Sequence, residues 1–221
     1  MNLPFSPEQF LVVLEKYNLA VWPAQILLNI LGLGAIFLIF KRFDSSNRMV
    51  AGILAALWIW IGLIYHLVFF TSINSAAYVF AAFNVVQGVV FLVYGVFRPR
   101  ISFGFHRDAY GILGSLFVLY AMIVYPIVGY SLGHIYPKSP TFGLPCPTTI
   151  FTFGLLLWRN MKIPRIVLVI PLLWSIIGFT AAITLGIRED IGLLVAGVVG
   201  TGLILFRDAR AEDSEVPLTE N

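Results

Sequence analysis

The chain has 221 residues, of which 59% are hydrophobic and only 11% charged, with a net charge of +3. A soluble domain carries about 25% charged residues, so this composition excludes a water-soluble fold. The apolar residues form long runs, not the short alternating segments of an outer-membrane barrel. The basic residues sit at the ends of those runs, which makes the surplus charge a topology signal and excludes a nucleic-acid surface.

The first 18 residues lack the basic and apolar regions of a signal peptide,. Ser6-Pro7-Glu8 supplies an N-cap, a proline at the first helical position and an early acid,. Phe10, Val13, Leu14 and Tyr17 then share one helix face, so residues 1–18 read as an amphipathic helix lying on the outer membrane surface,. Seven apolar segments follow, at approximately 19–40, 49–70, 76–97, 110–130, 147–161, 165–186 and 189–206. Most approach the ~20 residues that carry a helix across a ~30 Å hydrocarbon core, where a helix satisfies its own backbone. The predicted fold is all-α, a polytopic membrane bundle of seven transmembrane helices over 19–206. Residues 207–221 read as a polar, disordered cytoplasmic tail,.

Eleven of the 14 basic residues fall on one side of this topology: Lys41, Arg42, Arg48, Arg98, Arg100, Arg107, Arg159, Lys162, Arg165, Arg207 and Arg210. Only Lys16, Lys138 and Arg188 fall on the other. Cytoplasmic loops collect Lys and Arg, which places the protein in the cell (inner or plasma) membrane with its N-terminus outside and its C-terminus in the cytoplasm.

An internal repeat is suggested by Leu57-Trp58-Ile59-Trp60-Ile61-Gly62 in segment 2 and Leu173-Trp174-Ser175-Ile176-Ile177-Gly178 in segment 6. Segments 1–3 and 5–7 would be parallel copies joined by an inverting segment 4, a 3+1+3 arrangement known in sugar-transporting SWEETs. Chance similarity among Leu/Ile/Gly-rich helices is the alternative.

Segment 5 is the anomaly. Four prolines in Pro137-Lys138-Ser139-Pro140-Thr141-Phe142-Gly143-Leu144-Pro145-Cys146-Pro147 preclude a continuous helix there,. A helix from Pro147 to Trp158 spans only about 18 Å. Either it thins the bilayer, with Arg159 and Lys162 snorkelling, or the proline-rich stretch dips into the protein. In the second case Cys146 caps a half-helix facing an outer cavity, with Pro147, Thr148 and Thr149 beside it. That device favours an anion or thiolate; the alternative is an inert buried thiol.

His66 and His134 fall in the same outer layer. With Cys146 they offer soft-metal donors, although no C-x-x-C or H-x-x-x-H motif accompanies them; hydrogen-bonded structural histidines are the alternative. Glu189 and Asp190 open segment 7 as capping acids, or as carboxylates for proton coupling or hydrolysis. Within the membrane, Gln25 and Asn29 share a face of segment 1, and Asn84 and Gln87 a face of segment 3. They either line a polar pathway or bond helices together.

The strings LWIWIGLIYH (57–66) and YPKSPTFGLPCPTTIFTFG (136–154) resemble an uncharacterised bacterial family of small multi-pass membrane proteins, defined as a domain of unknown function. The resemblance covers most of the chain, from Phe5-Ser6-Pro7-Glu8-Gln9-Phe10 through segment 7. It implies a multi-pass membrane protein and no mechanism.

Three functions stay open: a transporter of a small solute or ion with its site at Cys146, a non-transporting accessory or sensor subunit, and a membrane enzyme using His66, His134, Cys146, Glu189 and Asp190. No G-x-S-x-G nucleophile motif and no P-loop is present. Segment 7 has no lysine for retinal. The expected partners are the lipid bilayer and a small solute or ion, with no nucleic acid. No cofactor and no oligomeric state can be assigned.

Overall fold

The computed structural model describes residues 4–215; the ends of the predicted surface helix (1–3) and of the predicted tail (216–221) lie outside the described residues. Among the described residues eight helices make up the fold, and there is no strand.

α1 (Pro7–Val21) starts at a full capping box: Ser6 Oγ accepts from Gln9 N at 3.3 Å and Ser6 N donates to Gln9 Oε1 at 2.8 Å. Its apolar face buries Val13, Leu14, Tyr17 and Val21. It packs against α2 and the end of α3, and it is too short and too polar on its outer face to cross lipid. Trp60 Nε1 donates to the Tyr17 hydroxyl at 2.9 Å. Burial pushes the Tyr17 phenol up to about 12, so it stays protonated.

Six further helices are long and apolar enough to cross a membrane: α2 (Ala24–Lys41), α3 (Ser46–Ser72), α4 (Ala77–Phe97), α5 (Ala109–Ser131), α7 (Ile166–Leu185) and the helix reached through Arg188–Ala211. Each turns apolar side chains outward, as Leu27, Ile30, Leu33 and Phe37 do on α2, which is the surface lipid requires. The chain is therefore a multi-pass membrane protein. The last helix, α8 (Ile191–Glu215), follows a 3₁₀ turn at Arg188–Asp190. The helix runs past the predicted membrane boundary at 206: residues 207–215, expected to begin a disordered tail, are helical, and their Arg, Ala and Glu content gives them the propensity for it.

The remaining predicted segment, segment 5, is α6 (Pro145–Leu157), with Leu144 as its N-cap. The helix begins two residues earlier than predicted, and Cys146 lies inside its first turn instead of capping it. Every residue of α6 except Cys146 is buried. The helix is surrounded by α3, α5, α7 and α8, and that explains its length. At 1.5 Å per residue it spans about 20 Å, but a helix with no lipid-facing side need not match the bilayer. Its start lies beside Asp190 at the foot of α8, and Arg159, just past its end, bonds Asp208 and Ile204 near the far end of the same helix.

Close backbone approach makes this enclosure feasible. A Cβ on Gly114 of α5 would stand 2.7 Å from Gly154 O, and one on Gly154 would stand 2.9 Å from Gly114 O. Small residues at such crossings let membrane helices touch along their backbones. Trp58 of α3 donates to Thr152 Oγ1 at 3.1 Å, and Trp158 donates to Gly111 O at 2.9 Å. The two sets of the suggested 3+1+3 repeat pack differently: α6 and α8 lie side by side, whereas α2 and α4 meet only through α3.

Arg159 does not snorkel. It is 3% exposed; Nη1 donates to Asp208 Oδ1 at 2.5 Å and Nη2 to Ile204 O at 3.0 Å. Burial draws its guanidinium below its usual range, and Asp208 works against that shift.

Candidate functional site

At the α1 end of the bundle lies a cavity of ≈ 180 Å³. Its floor is the start of α6, Leu144 to Pro147, and its roof is α1, through Phe5, Phe10 and Leu14. Tyr65, His66 and Phe70 of α3, Phe80 of α4 and Trp174 of α7 form its walls. α3 widens to π-helical turns over Ile61–Phe69, and this wider winding lets the consecutive residues Tyr65 and His66 both turn inward. Such turns recur at functional sites.

His66 is fully buried, and neither Nδ1 nor Nε2 has a hydrogen-bond partner. The rings of Tyr65, Phe70, Phe80 and Trp174 pack around it at centroid distances of 5.1 to 5.7 Å. The indole N–H of Trp174 is likewise buried without a nitrogen or oxygen partner and faces only the weakly accepting Cys146 thiol. Buried polar groups are nearly always bonded, so two bare imidazole nitrogens beside an indole N–H met only by sulfur mark a place where something else supplies the bonds. Asp190 completes the site at one edge, its Oδ1 accepting from the Tyr125 hydroxyl at 2.6 Å.

Of the residues singled out in the sequence, Cys146, Pro147, His66 and Asp190 line this one cavity. Others do not. Thr148 and Thr149 point into the packed core; Thr149 Oγ1 donates to Pro145 O at 2.7 Å. His134 turns away, to a second cavity of ≈ 310 Å³ beside Asn29, Tyr130 and Thr141, and its Nδ1 lies 2.8 Å from Glu189 Oε1. Glu189 and Asp190 are adjacent, but their 3₁₀ turn sends them to different partners. Neither is an exposed cap; both are buried.

The amides knit the fold together. Gln87 Nε2 donates to Val167 O at 3.1 Å, joining α4 to α7, and Asn84 Nδ2 returns to Phe80 O at 2.8 Å. Gln25 Nε2 donates to Asn18 Oδ1 at 2.6 Å, while Asn18 Nδ2 holds Pro137 O and Ser139 O at 2.6 and 2.8 Å. That knot fastens the proline-rich loop to α1. None of Gln25, Asn84 and Gln87 lines the cavity, so they form no polar pathway through it.

The soft-metal reading fails on geometry: His134 lies elsewhere, and the described residues hold no group of three His, Cys, Asp or Glu side chains placed for a metal. Nor is there a Cys–His pair of the kind that activates a thiolate, since both His66 nitrogens are unpartnered.

Sequence reasoning passed over Trp174 as a cavity wall and Phe5 and Phe10 as a roof. Trp174 carried a signal in the repeated L-W-x-x-I-G string; Phe5 and Phe10 carried only amphipathicity. A family model described as a family of unknown function, DUF6064, matches residues 7–215. No curated protein and no solved structure matches the chain.

Proposed function

The chain belongs to the DUF6064 family, a family of unknown function, and we propose that it is a membrane protein of seven transmembrane helices that binds a small, largely apolar solute in the cavity beneath α1. The observation that carries this reading is His66, buried in the cavity wall with both nitrogens unused. Ligand pockets are mainly apolar with a few placed polar groups, and Cys146, His66, Trp174 and Asp190 supply them here. The packed α6 closes the cavity below, which supports a binding or sensing role over an open conduit.

Solute binding is expected to raise the melting temperature of the purified protein by several degrees, since ligand at about 100 times Kd adds about 2.7 kcal/mol. A thermal-shift panel of small aromatics, alcohols, amines, sugars and metal ions would measure this. Ala181→Phe, which fills the cavity, should abolish the shift. A panel without any stabilising apolar solute, or an unchanged response in the variant, sinks the reading.

Transport is the second reading, favoured by a helix that begins at a proline-rich break beside the cavity, as substrate-binding helices of transporters do. It requires α6 to move, and uptake of the stabilising solute into proteoliposomes would detect it.

In the proposed orientation the N-terminus is outside and the C-terminus in the cytoplasm of the cell membrane. The eleven basic residues collected on one side support this,. The reach of α6 between the two ends of α8 supports counting it as a seventh crossing. Reporter fusions at residue 45 and after α8 should both report the cytoplasm; an external signal from either overturns the topology.

A further inference from the structure

The polar groups that face the cavity narrow the chemistry of its occupant, on the reading that the cavity is a solute site. We infer that it takes a single-ring aromatic alcohol, with the ring among the aromatic walls and the hydroxyl between His66 and Trp174. Size comes first. An engineered apolar cavity of about 150 Å³ holds one benzene molecule, and this cavity measures ≈ 180 Å³. One ring with one or two small substituents fills it; a fused polycycle or a sugar does not fit both its volume and its lining.

The unused hydrogen-bonding positions then select the functional group. Trp174 offers only a donor. A neutral imidazole offers one donor and one acceptor, and His66, enclosed by Tyr65, Phe70, Phe80 and Trp174, has no nearby anion bonded to it that would hold a second proton. The matching group must therefore accept from N–H and donate to a ring nitrogen. A hydroxyl does both. An ammonium only donates, and would face two N–H groups without an acceptor to give them. A carboxylate only accepts, and would enter a pocket that already holds Asp190. A plain hydrocarbon fits the walls and leaves both imidazole nitrogens bare.

The test compares p-cresol, toluene, benzylamine and benzoate by isothermal titration into the full-length protein in detergent, with empty micelles as the blank. p-Cresol should bind at least about tenfold more tightly than toluene, the factor expected when buried hydrogen-bonding groups are left unpaired. His66→Leu should abolish the difference, so that the variant binds p-cresol no more tightly than it binds toluene. Trp174→Phe, a closer match in shape, gives the same comparison where the leucine variant does not fold. Equal binding of p-cresol and toluene overturns the hydroxyl assignment and leaves the solute site standing. Tighter binding of benzylamine or benzoate overturns the class in favour of a charged ligand. Failure of all four, with Ala181→Phe also without effect on any stabilising solute, overturns the site itself.

Discussion

Gly154→Val is expected to destabilise the protein by about 3 kcal/mol or more. A Cβ at Gly154 would stand 2.7 Å from Val118 Cγ2 and 2.9 Å from Gly114 O. One of those atoms is backbone, so no rotamer change makes room. Overpacking a core costs about 1–3 kcal/mol where side chains can yield; here α5 and α6 must separate. Separation also strains the bond from Trp158 Nε1 to Gly111 O, 2.9 Å long. Gly202 is the control, because a Cβ there meets nothing within 4 Å, and Gly202→Ala should change stability by under about 0.5 kcal/mol. Unfolding in mixed detergent micelles would measure both. If Gly154→Val unfolds with the wild-type protein, α5 and α6 are not in backbone contact.

The second large effect belongs to the Arg159–Asp208 pair. Each single replacement, Arg159→Ala or Asp208→Ala, strands a buried charge, and such losses cost about 3–5 kcal/mol. The double variant Arg159→Leu, Asp208→Leu should recover most of that loss, because two apolar side chains leave nothing unpaired. The same unfolding assay distinguishes this from an exposed ion pair, worth about 1 kcal/mol at most. A loss that small from either single change would mean that water reaches the pair. Its side chains, 4% and 9% exposed, argue otherwise.

The long helices were readable because run length is itself the physical requirement for crossing a bilayer. The shortness of α6 was readable too; its reason was not. Ile150, Phe151 and Leu155 look the same in sequence whether they face lipid or protein, and only the assembled bundle distinguishes the two. Counting each residue's depth along its helix placed Cys146, His66, His134 and Asp190 in one outer layer, and the assembled bundle decides which of them share a cavity. Depth alone could not separate His134 from the other three, because it fixes a layer and not a direction within it. Gln25 failed for a similar reason. Its partner Asn18 lies on α1, and Asn18 in turn holds the loop at Pro137 and Ser139, a contact across more than 100 residues that no local pattern encodes. The extension of α8 past residue 206 was legible in its Ala, Arg and Glu residues, and polarity was mistaken for disorder.

The enclosure of α6 also bears on how the protein is made. A thirteen-residue helix carrying three threonines is a poor independent guest in hydrocarbon, both by length and by its hydroxyl groups. During synthesis it emerges after α2 to α5 but before α7 and α8, two of the four helices that surround it. Its insertion therefore leans on a half-built wall: α3 and α5 receive it first, and α7 and α8 close behind it. The roof draws on both ends of the chain, because Ala182 and Leu185 of α7 belong to the cluster that α1 packs against. A nascent chain that stops short of α7 therefore lacks part of the surface on which α1 seats.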